Sequence, residues 1–130
     1  MVARLVLAWR LLAWGAALAI LVGSLWPSMP PAPGGISDKL QHFLAYVVLA
    51  LVFTAAFSRR HWLAIALGLA VFGGAIELLQ HWMPGKRAGE WLDMAANLGG
   101  IATGLALALA VPHRWRQKLD RVLGRPEGVV

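Results

Sequence analysis

Apolar residues run almost unbroken through four stretches of this chain, Leu5–Trp26, Leu40–Phe57, Trp62–Met83 and Trp91–Val111. Each offers the roughly 20 mostly apolar residues that an α-helix needs to cross a bilayer. The segments between them differ in kind. Pro27–Lys39 is rich in proline and glycine, Ser58-Arg59-Arg60-His61 is basic, and Pro84–Glu90 opens on Pro-Gly. Proline and glycine continue a helix poorly, so these segments read as turns. The pattern predicts an all-α protein, a four-helix transmembrane bundle built as one domain over residues 1–130. A basic tail follows from 113 to 130, where Trp115, Leu119, Val122 and Leu123 recur at helical spacing. A helix lying along an anionic leaflet and a solvated tail both fit it.

Two regions break the apolar pattern. Residues 37–46 (SDKLQHFLAY) and 73–100 (GGAIELLQHWMPGKRAGEWLDMAANLGG) carry ionisable and amide side chains inside or beside the spans. Such groups cost about 2.5–3.5 kcal/mol each near a bilayer centre and less towards the interface. Asp38, His42, Glu77, Asp93 and Asn97 are therefore expected to meet one another rather than face lipid. Their spacing supports this. Asp38, His42 and Tyr46 recur every four residues, Glu77 precedes Gln80 by three and His81 by four, and Asp93 precedes Asn97 by four. At 1.5 Å per residue, His42, Glu77, Asp93 and Asn97 all fall within about 10 Å of the same ends of their helices. The expectation is a polar pocket at one end of helices 2–4, with Lys86 and Arg87 in the loop above it.

Composition sharpens the picture. The chain is 59% hydrophobic and 14% charged, more apolar than a soluble domain of 130 residues can bury. It contains no cysteine, which excludes disulfides, thiol catalysis and thiolate metal ligands. A net charge of +6 raises the question of nucleic acid. The basic residues flank apolar spans, however, so membrane anchoring is expected and no nucleic-acid partner.

Charge also predicts direction. Nine of the twelve lysines and arginines (Arg4, Arg10, Arg59, Arg60, Arg114, Arg116, Lys118, Arg121 and Arg125) fall on one side of the bundle. Lys39, Lys86 and Arg87 fall on the other. The positive-inside rule then places both termini in the cytoplasm and the polar end outside. Six of seven tryptophans lie near predicted span ends, with Trp14 the exception. Arg4 and Arg10 ahead of Leu11–Gly23 also resemble a secretory signal peptide. No convincing small-x-small cleavage site precedes Pro27, and the first span is read as retained. Small residues form two candidate packing ridges, Ala96-Gly100-Gly104-Ala108 on the fourth span and Gly15-Ala19-Gly23 on the first.

Asp38, Lys39, His42, Phe43 and Tyr46 are followed by Glu77 and Gln80, then by Pro84, Gly85, Arg87, Asp93, Asn97 and Gly100. In this order and spacing the chain resembles the VanZ-like family of small bacterial membrane proteins, named after a teicoplanin-resistance protein, over residues 24–108. The family pattern often carries a hydroxyl residue after the arginine; here it is Ala88. The resemblance implies a multi-pass protein of the bacterial inner membrane. It also implies a link to cell-envelope substrates or glycopeptide antibiotic resistance.

Four readings of the polar residues follow. In the first, the outer face binds an anionic envelope component, a lipid head group or lipid-linked precursor, with or without catalysis. Lys39, Lys86 and Arg87 would hold phosphate or carboxylate. His42 with Glu77 or Asp93 would serve as general acid and base. Asp38, Tyr46, Gln80 and Asn97 would line the substrate. No Gly-x-Ser-x-Gly nucleophile motif accompanies them. In the second, the cluster is structural and only fixes helix packing. In the third, His42, Glu77, His81 and Asp93 hold a divalent metal. The chain lacks a His-Glu-x-x-His motif and Arg87 would repel a cation, so no metal or other cofactor is assigned. In the fourth, the carboxylates carry protons or ions, which the apolar inner halves of the spans disfavour. Membrane lipids are the expected partners, and a homo-oligomer is compatible with the sequence.

Overall fold

The computed structural model describes residues 2–26, 33–83 and 91–122. Four helices are long and apolar enough to cross a membrane: α1 (Val2–Leu25), α2 (Asp38–Ala56), α3 (Trp62–Trp82) and α4 (Trp91–Ala110). A shorter helix, α5 (His113–Val122), follows Pro112. The chain is an all-α four-helix bundle, and among the described residues there is no strand.

Local chemistry sets the helix ends. Ser37 is extended and its Oγ accepts from the Leu40 N–H at 3.3 Å, so it caps α2. The helix therefore starts at Asp38, two residues ahead of the predicted span, and takes in the first carboxylate of the polar pattern. Ahead of that cap, Gly34 and Gly35 turn the chain at φ 80° and 69°, a region that glycine enters without a Cβ clash. At the far end of α2, Phe57 is extended and a single 3₁₀ turn (Arg59–His61) leads into α3. Met83, extended at φ −82° and ψ 127°, ends α3 immediately before Pro84, which disfavours helical backbone in the residue preceding it.

The helices alternate in direction, which makes α2 and α4 parallel. These two form the central pair of the bundle. Their contacts advance together along both chains, Gly100 against Phe43 and Tyr46, then Gly104 against Val47 and Ala50. A Cβ on Gly100 would run into the Phe43 carbonyl oxygen and lie 2.9 Å from the Tyr46 Cβ. One on Gly104 would lie 2.6 Å from the Ala50 Cβ. Glycine at these two positions lets the backbones touch, as a small-residue ridge does where lipid supplies no hydrophobic drive. The predicted ridge on the fourth span is thus a real contact surface.

The ridge expected on the first span does not pack at its first two positions. Nothing lies within 4 Å of a Cβ built on Gly15, and Ala19 is exposed. The stripe of α1 that packs is Ala13 and Ala17, both buried, flanked by Trp9, Ala16 and Ile20. Alanines already allow close approach, and the bulkier flanking residues on their face fill the gap to α2. The rest of the core comes mainly from α2, with Tyr46, Leu49, Ala50, Phe53 and Ala56, joined by Leu69 and Ile101. The outward faces carry exposed leucines and valines such as Leu11, Leu18, Leu67 and Val71, the inverse of a soluble fold.

Two aromatic contacts mark the end of the bundle opposite the polar residues. The Arg10 guanidinium lies 5.1 Å from the Phe57 ring centroid, and that of Arg59 lies 5.7 Å from the Trp62 ring. Arg10, Arg59 and Arg60 therefore gather at one end, as the charge pattern predicts. Trp14, the outlying tryptophan, meets Phe53 edge-on at 5.2 Å.

Candidate functional site

At the end where α2 and α4 begin and α3 finishes, the polar residues of three helices meet in successive layers. The outermost layer holds Asp38, Lys39 and Asp93, with Lys39 Nζ 3.2 Å from Asp93 Oδ1. Both aspartates sit in the first turns of parallel helices, where the positive ends of the helix dipoles stabilise negative charge. One turn deeper, His42 Nδ1 donates to Asn97 Oδ1 at 3.0 Å. Glu77 Oε1 lies 3.7 Å from the same nitrogen, so α2, α3 and α4 converge on one imidazole. Deeper again, the Tyr46 hydroxyl faces α3 at Gly73, where an added Cβ would lie 2.9 Å from its oxygen. From Asp38 to Tyr46 the cluster extends about 12 Å along α2, under half of a hydrocarbon core of about 30 Å.

The Lys39 side chain is 37% exposed and that of His42 16%, whereas Asp93, Glu77 and Asn97 are buried. Several deep groups lack hydrogen-bond partners: the Tyr46 hydroxyl, Asn97 Nδ2 and both carboxylate oxygens of Glu77. Buried polar groups are ordinarily satisfied, and an unsatisfied one costs about 1–3 kcal/mol. Here donors and acceptors without partners lie side by side at the junction of three helices. Such a set can take up a ligand that both donates and accepts, and the imidazole beside it can exchange a proton.

Most of the residues singled out by sequence come together. Asp38, Lys39, His42, Tyr46, Glu77, Asp93 and Asn97 form one contiguous cluster. Gln80 is placed differently, with its Nε2 donating to the Ser24 carbonyl at 2.8 Å and tying the end of α3 to the end of α1. His81 is exposed, so the metal set of His42, Glu77, His81 and Asp93 is not assembled. His81 lies in the last turn of α3, which ends at Trp82, one turn beyond Glu77 and outside the buried contact. Lys86 and Arg87 lie outside the described residues.

The sequence reading missed Gly73. It lies four residues before Glu77 on the same face and makes room for the Tyr46 hydroxyl and the Asn97 amide, whose Nδ2 would lie 3.1 Å from its Cβ. Its signal was present in the helical spacing from Glu77. No protein-family model, curated protein or solved structure matches this chain.

Proposed function

We propose that this multi-pass membrane protein is VanZ-like and engages an anionic envelope component, a lipid head group or lipid-linked precursor, at the outer leaflet of the bacterial inner membrane. The observation that carries the reading is the set of unpartnered polar atoms on Tyr46, Glu77 and Asn97 beside the His42 imidazole, buried where three helices converge. In a membrane bundle an interhelical hydrogen bond contributes about 0.6 kcal/mol on average. Polar groups retained only for packing would be expected to spend their donors and acceptors on each other. Gln80 does so; Tyr46 and Glu77 do not.

The anionic part of the ligand is assigned to the mouth of the cluster. The parallel α2 and α4 direct their N-terminal dipole ends to the same side, and Lys39 stands between them. Lys86 and Arg87, a few residues ahead of α4 in the chain, supply further positive charge. The hydroxyl, amine or amide part of the head group would reach Glu77, Asn97 and Tyr46. His42 with Glu77 is the pair that would move a proton if the bound component is also transformed.

The purely structural alternative has one observation in its favour, the His42–Asn97 bond, which joins α2 to α4 directly beside the glycine contact. Identification of lipid co-purified in mild detergent separates the two. The wild type is expected to enrich one head-group class over the bulk membrane, and Glu77→Ala to lose that enrichment while accumulating normally. Bulk lipid composition in the wild type, or failure of Glu77→Ala to accumulate, would support the structural role instead.

A further inference from the structure

The mouth of the cluster has a second property that the head-group reading does not use. Asp38 and His42 are one turn apart on α2, Asp93 faces them from α4, and one ligand atom from each lies within 4.8 Å of the other two. We propose that Asp38, His42 and Asp93 form a binding site for a divalent transition-metal ion of the zinc or manganese class. Two carboxylates and one imidazole are hard-to-borderline donors suited to such ions.

The arrangement behind His42 points to the same conclusion independently. Metal-binding histidines characteristically donate their second ring N–H to a carbonyl or carboxylate, which fixes the tautomer and the ring plane. Here Nδ1 donates to the Asn97 carbonyl oxygen at 3.0 Å, and Glu77 Oε1 stands 3.7 Å away on the same side. With its proton on Nδ1, a neutral imidazole carries its lone pair on Nε2. Glu77 is about nine-tenths buried, makes no hydrogen bond and directs its carboxylate at this ring. A carboxylate held there without a donor gains a counter-charge when the imidazole is bound to a cation.

Lys39 is the internal competitor. Its ammonium lies 3.2 Å from Asp93 Oδ1, on a side chain that is 37% exposed. The ligand set also differs from the one legible in sequence. Asp38 takes the place of His81, because α2 begins two residues before the apolar run and brings that aspartate onto the His42 face.

The test uses the full chain in detergent, stripped with chelator and titrated with zinc or manganese by calorimetry and thermal unfolding. One ion per chain is expected, with a rise in melting temperature. His42→Ala and Asp38→Asn should each weaken binding at least tenfold. Asp38→Asn lies at a helix end, and its helical circular dichroism should match the wild type, so lost binding there is not lost folding. Lys39→Met should tighten binding by removing the competing ammonium. Absence of stoichiometric binding, or binding unchanged in both Asp38→Asn and His42→Ala, would overturn the proposal, as would weaker binding in Lys39→Met. Because no lipid is measured, the outcome is independent of the head-group reading.

Discussion

Tyr46 is among the most deeply buried large side chains of the protein, yet its hydroxyl has no hydrogen-bond partner. Removing such a hydroxyl removes a desolvated group without breaking a bond. Tyr46→Phe is therefore expected to leave thermal stability in detergent unchanged or raised by up to about 1 kcal/mol. A loss of about 2 kcal/mol or more would show that the hydroxyl is bonded after all. The sequence identified this residue, like Asp38, His42, Glu77, Asp93 and Asn97, from the cost of putting polar groups in lipid and from four-residue spacing. It could not distinguish Gln80 from Glu77, since both lie on neighbouring faces of α3. Only the packing of α1 decides that the amide of Gln80 bonds the Ser24 carbonyl while the carboxylate of Glu77 turns to His42.

Among the elements, the decisive contact is between α2 and α4. Gly100 and Gly104 abut the α2 backbone and the Ala50 methyl, whereas Gly15 on α1 borders open space. Gly100→Ala is expected to destabilise the bundle by about 1–3 kcal/mol through overpacking against atoms that cannot move aside. Gly15→Ala should be neutral or stabilise by up to about 1 kcal/mol, because alanine favours helix and meets nothing. Melting temperatures of the two variants in one detergent check this pair, and equal effects would contradict it. Both glycines belong to small-residue ridges of similar appearance in the sequence. Spacing shows that a face is smooth, but which smooth face meets a partner depends on the rotation of each helix about its axis. That rotation is set by all the neighbours together.

Across the whole molecule, the polar cluster and the arginine-bearing turn occupy opposite ends of the bundle. With the positive-inside rule, this division leads to a direct check on orientation. The cysteine-free chain permits single cysteines to be introduced without background. Ser37→Cys, at the start of α2, is expected to react with a membrane-impermeant thiol reagent added to intact cells. Ser58→Cys, beside Arg59, should react only after the membrane is opened; the reverse pattern would invert the topology.

Span number, span length and the division of charge between the two ends follow from composition along the chain, because lipid imposes one rule, apolar length, on every segment separately. The list of residues unable to face lipid follows from the same rule. Which of them touch is a matter of three helices arriving at one place with particular rotations and depths. Close approach at Gly73, Gly100 and Gly104 brings the Tyr46 hydroxyl, the His42 imidazole and the Asn97 amide within reach of one another. The early start of α2 under its Ser37 cap brings Asp38 to Asp93. Those relations join residues far apart in the chain, His42 and Asn97 by 55 positions, and only the folded bundle makes them neighbours.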